Sequence, residues 1–512
     1  MPLDDPRIDR LIALIKDSFR VERNSTPDYV DISGHLARVA APQHQVIYGR
    51  RGSGKSCLLV TARKNAEAER IPCVYIVADE IKRLSYPDVL IRLLLGIFEQ
   101  IAQHPGGWRA RLFRRPSPLT DHIRALRELL EQAESSQIQS KAATETSAGL
   151  QVGGDYGKVS LSGVDQAEEN RQFTRRKLDT LDRHLQDYKS ALEKALKQTR
   201  AKRALVIIDD FYLIHREVQP DVVDYLHRLL RGTNASLKLG TIRHRTKLAR
   251  TDGQFIGIEP TQDVEVINLD LTFEDMKATT EFLRSLLNSF GQKVGIAEVA
   301  GNEYLNDEAL FALTLSSAGV PRDFLAIFVN AVQAARNERS FRWLTPTYVY
   351  RGAGRVSYQE KIANLQSDAG PESRRLELVL SDVLTFCLKE KRKTAFLLSQ
   401  DDVGKHAPEH DLIEQLMDFK LIHVVAPDTS AASGRPGRYE AYTLDAALFM
   451  EPRRRYIEVV KFWETDDQRR PVNLREAPDY PLSRIAELSD LPVAPEDLLE
   501  QVDKEAPPDT QV

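Results

Sequence analysis

Cysteine is scarce in this chain of 512 residues, which has only Cys57, Cys73 and Cys387. They lie far apart, with no CxxC or metal-ligand spacing, so neither a disulfide framework nor a zinc site is indicated. No stretch approaches the ~18 consecutive apolar residues of a membrane span, and no membrane partner is expected. The opening Met1-Pro2-Leu3-Asp4-Asp5 is acidic and lacks a signal peptide's basic and apolar regions. A soluble, cytoplasmic protein is therefore expected. Charge of one sign is lacking too: 71 Lys and Arg face 75 Asp and Glu, a net charge of -4. The balance is uneven along the chain. Residues 105–204 carry 19 basic against 13 acidic side chains, and residues 464–512 carry 5 against 13. A basic middle suits nucleic acid or an acidic partner, whereas an acidic end can simply solvate the terminus. The 42% apolar content excludes wholesale disorder, and the length suggests about three domains.

Short apolar runs mark buried strands at 45–48, 73–77, 205–208, 237–242 and 264–269, mostly separated by helical patterns, as in a parallel α/β sheet. Apolar spacing over 8–20 predicts a helix. Residues 105–204 interrupt the rhythm with helical patterns around 120–134 and 171–199; in the second, Leu178, Leu181, Leu185, Tyr188, Leu192 and Leu196 recur at three- and four-residue steps. Between them, alternating apolar residues flank a Gly-rich turn at 150–161, which predicts a β-hairpin carried on two helical arms. Residues 272–345 read as all-helical, and glycines at 352, 354 and 370 suggest a linker. Beyond 374 come a long helix, a strand near Ala395–Leu398, a helix from Glu409 to Phe419, and two strands bracketing a Ser/Gly/Pro-rich turn.

Gly49-Arg50-Arg51-Gly52-Ser53-Gly54-Lys55-Ser56 is a full G-x-x-x-x-G-K-[ST] match between a predicted strand and a predicted helix. Its glycines let backbone N–H groups converge on phosphates at a positive helix N-terminus. Lys55 is placed to neutralise β- and γ-phosphates and Ser56 to hold Mg2+. Leu205-Val206-Ile207-Ile208-Asp209-Asp210 is a buried strand ending in two carboxylates. Asp209 is the candidate for the Mg2+ shell, and Asp210 the candidate general base toward the attacking water.

These motifs make the chain resemble the AAA+ and STAND group of P-loop ATPases, nearest the Orc1/Cdc6-like type, from about residue 29 to 450. The resemblance implies ATP and Mg2+ as cofactors. It implies an α/β AAA+ parallel-sheet P-loop core with a helical lid, followed by an α+β winged-helix domain. The divisions would be an N-terminal helix and adenine-contacting segment at 1–40, the core at 41–271 with an insertion at 105–204, the lid at 272–345, a linker at 346–373, the winged helix at 374–463 and an acidic tail at 464–512. Tyr29 and Val30 would lie near the adenine, and the loop from Gly49 through Lys55, Ser56 and Cys57 would hold the nucleotide. Gly240-Thr241-Ile242-Arg243 resembles a sensor 1 strand, with Arg243 as its arginine, and Ser317–Arg322 resembles the sensor 2 element, with Arg322 toward the γ-phosphate. Arg245 and Arg250 are the candidates for an arginine finger acting in trans. Walker B reads Asp-Asp where initiators usually have Asp-Glu, which implies slow turnover.

Duplex DNA is the partner the resemblance implies, through Arg435 and Arg438 of the wing and through the insertion, with Arg109, Arg111, Arg114, Arg115 and Arg453-Arg454-Arg455 as further basic surface. The helix in the groove-reading position carries Glu409, Asp411, Glu414 and Asp418, a poor match to phosphates. Two functions follow: an oligomerising, ATP-hydrolysing switch that associates with DNA, or a STAND-like signalling or antiviral-defence ATPase that works through a separate effector protein. The second fits the absence of HExxH, GxSxG or any other effector motif in the chain. A nucleotide-binding protein with little hydrolysis is a third reading.

Overall fold

The computed structural model describes residues 2–19, 29–31, 33–104, 117–131, 158–199, 201–301, 304–339, 342–369, 373–432, 434–450, 456–464 and 472–488. The chain forms two compact units: Glu22–Tyr48 with Lys55–Asn268, and Met1–Val21 with Gly49–Gly54 and Leu269–Val512.

The first unit contains strands β1 (Gln45–Tyr48), β2 (Cys73–Val77), β3 (Ala204–Asp209), β4 (Ala235–Thr241), β5 (Ala249–Asp252), β6 (Gln254–Gly257) and β7 (Glu265–Asn268). Five make one parallel sheet in the order β2-β3-β4-β1-β7, and β5–β6 is a separate antiparallel ribbon. β3, an apolar run closed by Asp209, is buried at every position, as such runs are when helices cover both faces; β4 is equally buried although it carries Ser236, Lys238 and Thr241. The α/β class with a P-loop after an inner parallel strand is thus what forms. Lys238, fully buried in β4, donates to Ala41 O, Gln43 O and Gln45 Oε1 at 2.6–2.7 Å, which fastens the segment before β1 to the sheet.

The insertion departs from expectation. Helices occupy 120–131 and Lys158–Thr199. The second buries Leu181, Leu185, Tyr188, Leu192 and Leu196 in the same core as the sheet, so its C-terminal half is part of the core rather than a projecting arm. Tyr225 donates to Leu181 O at 2.7 Å, and Phe98 meets Tyr188 edge to face. The turn of the expected hairpin, 150–157, lies outside the described residues, as do Arg109, Arg111, Arg114 and Arg115. Its returning strand is not formed, because Lys158–Leu161 already belongs to the long helix; helix extension is cooperative and outweighs a short alternation of apolar residues.

The second unit opens with the helix Pro6–Ser18 and continues through Met276–Lys293, Asp307–Ser317 and Pro321–Asn337, as the apolar stripes predict. The expected linker is instead two helices, Pro346–Ala353 and Arg355–Asp368. Gly352 is a close-packing residue: a Cβ there would lie 2.7 Å from the Ala331 nitrogen. After the helix Ser373–Leu384 come β8 (Ala395–Ser399), helices Gln400–Lys405 and Ala407–Asp418, β9 (Ile422–Thr429) and β10 (Tyr439–Leu444). The strands form an antiparallel sheet in the order β8-β10-β9. Residues 472–488 correct the reading of a solvated acidic tail. Leu474, Ala477, Tyr480, Leu482 and Ile485 are buried, Tyr480 bonds the backbone of Leu397 in β8, and its hydroxyl donates to Asp382 at 2.7 Å. Widely spaced apolar residues outweigh the acidic average.

Candidate functional site

β1 runs into the Gly49–Gly54 turn, and the helix Lys55–Ala68 follows. Gly52 and Gly54 have φ of +90° and +97°, values that favour glycine. A Cβ on Gly52 would meet Arg322 Cβ at 2.8 Å, whereas one on Gly54 would meet nothing within 4 Å. Ser53 N donates to Arg50 O at 3.1 Å and closes the turn. The Ser53 hydroxyl is buried with no hydrogen-bond partner among the described residues, and the first turn of the following helix carries no acidic residue. A buried Ser53 donor with no acceptor among the described residues and the open space over Gly54 together fit a phosphate-bearing ligand. Lys55 is 6% exposed, and Ser56 and Cys57 are half-buried.

In the first unit, Asp209 at the end of β3 is 2% exposed. Its Oδ1 accepts the Asp210 N–H at 2.9 Å and its Oδ2 accepts the Tyr75 hydroxyl at 2.8 Å. Burial and Asp209 push the Tyr75 phenol far above its ordinary range, so it remains a donor. Asp210 is half-buried and has φ +54°, ψ +37°, a left-handed turn that Asp tolerates. Gly240 makes room for this carboxylate: a Cβ there would lie 2.8 Å from Asp209 Oδ1 and 2.6 Å from Leu59 Cδ1. The carboxylate pair and the buried setting fit a divalent cation bound through Ser56 and Asp209.

Thr241 is fully buried and engaged with Thr246 at 2.5 Å, which in turn donates to Ile242 O. Arg243 is exposed, its guanidinium 4.8 Å from the centre of the Tyr48 ring at the end of β1. Arg245 lies over the Tyr212 ring at 4.9 Å, and Arg250 pairs with Asp221 at 2.8 Å. To act in trans, Arg250 would first have to leave Asp221. The fully buried Gln219 holds this basic loop: its amide donates to Ile214 O at 2.7 Å and accepts from Lys247 N at 2.8 Å. Tyr29 and Val30 are half-buried, the Tyr29 hydroxyl is 3.5 Å from His35 Nδ1, and burial and Asp31 raise its phenol well above the ordinary value.

In the second unit, Arg50 does not extend as a phosphate ligand. Its backbone N–H donates to Asp270 at 2.7 Å, and its guanidinium reaches Leu271 O, Ala318 O and His423 Nδ1 at 3.0–3.2 Å. His423 Nε2 meets Asp445 at 2.8 Å, and Lys361 meets the same carboxylate oxygen at 2.6 Å. Lys420 pairs with Asp323 at 2.9 Å. The backbone N–H of Arg322 donates to Gly52 O at 3.3 Å, and its guanidinium is turned to Phe19 O. Arg51 is exposed and reaches Asn364 at 3.5 Å. Of the wing arginines, Arg435 donates to Ala477 O and Arg475 O at 2.8 Å, and Arg438 pairs with Asp428. Arg453–Arg455 lie outside the described residues. Sequence spacing pointed to neither Tyr75 nor Gln219; the one signal was Tyr75 as a lone aromatic in the apolar run Cys73–Val77.

An inner parallel strand, a glycine turn and a lysine at a helix start define the fold as an α/β sheet with a P-loop. Over most of its length the chain is similar to the Aeropyrum pernix Orc1 protein in complex with DNA (14% identity, 82% of this chain and 91% of that one, TM-score 0.36). It is also similar to Cdc6p from Pyrobaculum aerophilum (11%, 84% and 93%, TM-score 0.33) and to a Walker-type ATPase of Pyrococcus abyssi (11%, 84% and 98%, TM-score 0.41). No protein-family model matches the sequence, and no curated protein matches it. At these identities the functional reading rests on the site's own residues.

Proposed function

We propose that this chain is an ATP-binding and ATP-hydrolysing molecular switch of the AAA+ type. The observation that carries the reading is the glycine turn, whose Ser53 hydroxyl is buried with no hydrogen-bond partner among the described residues, followed in the chain by the helix that starts at Lys55. The Lys55 ammonium adds positive charge beside the β- and γ-phosphates. The Ser56 hydroxyl and the Asp209 carboxylate hold Mg2+, which when bound neutralises charge developing on the phosphates. Asp210 takes the proton of the attacking water; as the shorter acid at this position, it supports slow turnover. Arg243, on the ring of Tyr48, senses the nucleotide, and Arg322 does so from the lid. A neighbouring copy supplies Arg245 or Arg250, which makes the active form an oligomer. Tyr29 and Val30 border the adenine. The order helix, β8, two helices, β9, β10 supports a winged helix, and DNA association falls mainly to the 105–204 insertion, because Arg435 and Arg438 are engaged within the chain.

That engagement, with the acidic helix Ala407–Asp418, favours a second reading in which the C-terminal elements dock a protein partner, as in a STAND-like switch. No helix among the described residues is long and apolar enough to cross a membrane. The deciding experiment is steady-state phosphate release with and without long duplex DNA, with Lys55→Ala as control. Stimulation that disappears in Lys55→Ala is the expected outcome. Lys55-dependent activity indifferent to DNA, with an ATP-dependent oligomer seen by mass measurement, would select the partner switch. Phosphate release unchanged in Lys55→Ala would refute the site.

A further inference from the structure

We propose that Tyr75 is a positioning residue for the metal-holding carboxylate, its hydroxyl fixing Asp209 from the neighbouring strand. The inference rests on the Mg2+-ATP reading and assigns a role to a residue no motif contains. The register explains the contact. β2 and β3 are parallel with Tyr75 opposite Ile207, so Asp209, two residues on, projects from the same sheet face as Tyr75. A phenol is long enough to reach this diagonal neighbour.

Tyr75 is itself held from several sides. Its N–H donates to Gln100 Oε1 at 3.0 Å, and Gln100 Nε2 donates to its carbonyl at 3.3 Å. The Arg63 guanidinium, from the helix that begins at Lys55, lies 5.8 Å from its ring centre. Tyr75 is 3% exposed, and a buried phenol needs an acceptor; here that is Asp209 Oδ2. With Asp210 N–H on Oδ1 and Tyr75 on Oδ2, both oxygens are oriented, and each keeps a lone pair for a cation or its water. Phenylalanine would retain the packing and leave Oδ2 without its donor, freeing the carboxylate to rotate. Partners that orient a metal ligand typically contribute about 10–100-fold to metal affinity.

The test uses the full chain, a fluorescent ATP analogue and electron paramagnetic resonance of Mn2+ as a direct metal readout. Tyr75→Phe is expected to bind the analogue in EDTA as the parent does, while requiring about tenfold more Mg2+ or Mn2+ for half-saturation. In an Asp209→Asn background the same substitution is expected to change little, because the two act as one unit. Equal metal curves for parent and Tyr75→Phe would overturn the proposal, as would an effect of the same size in the Asp209→Asn background or a matching loss in EDTA, each of which marks a packing role. A parent protein that binds no nucleotide under either condition would overturn the ATP reading itself and this proposal with it.

Discussion

Two glycines show how single residues without side chains shape this site for different reasons. Gly54 is required by its backbone, with φ of +97° and open space around it. Gly240 lies in a strand, and its constraint is steric: Asp209 and Leu59 occupy the volume a methyl group would take. Gly240→Ala is therefore expected to destabilise the protein by about 1–3 kcal/mol through overpacking and to raise the Mg2+ requirement by displacing Asp209. Chemical denaturation and a Mg2+ titration of nucleotide binding check the two halves separately. A stability loss with unchanged Mg2+ dependence would mean that Leu59 yields and Asp209 stays. The motif residues Lys55, Ser56, Asp209 and Asp210 were legible because their spacing is local to one strand–loop–helix or one strand end. Tyr75 and Gly240 were not, because their roles depend on strand order, with β2 and β4 flanking β3.

At the scale of elements, periodicity recovered identity better than role. The leucine stripe from 181 to 196 is helical, as its spacing dictates, yet the same stripe fits a projecting arm or a core helix. The structure selects the core, with Leu192 fully buried beside sheet-covering residues. Leu192→Ala is expected to cost about 2–5 kcal/mol, measured as a shift in the denaturation midpoint; a shift near zero would mean that this helix detaches without disturbing the sheet. The segment 346–368 failed in the opposite direction. Its glycines suggested a linker, but Gly352 is there because the Ile327–Ala331 backbone passes close by. Glycine marks both flexibility and close approach, and sequence alone does not separate them.

At the scale of the whole chain, residues 50, 361, 423 and 445 converge in one buried ionic cluster, a grouping no local pattern announces. Arginine only donates, so the Arg50–His423 contact requires an unprotonated Nδ1, while His423 Nε2–H points to Asp445. The groups facing the imidazole are thus Arg50, Lys361 and Asp445, with the Phe273 ring edge-on. Burial, together with Arg50 and Lys361, holds His423 at about 4 against an ordinary 6.5, although Asp445 opposes the shift. For Asp445, burial acts to raise the carboxyl, but Lys361 and His423 prevail and hold it at about 2 against 3.8. Both values are depressed, so both contributions to stability are present at neutral pH and are lost on acidification. The histidine part is full above pH 6.5 and disappears as pH falls toward 4, because there the unfolded chain binds a proton that the folded chain refuses. The aspartate part follows between 3.8 and 2. Across the first window this single proton corresponds to at most about 1.4 kcal/mol per pH unit. His423→Gln preserves a donor for Asp445 but cannot titrate, so its stability, followed by urea denaturation from pH 7 to 4.5, is expected to fall less steeply than the parent's by up to that slope. Parallel pH profiles for the two proteins would show that His423 takes up its proton as readily in the fold as in the unfolded chain, which an Arg50 donor on its ring nitrogen would not allow.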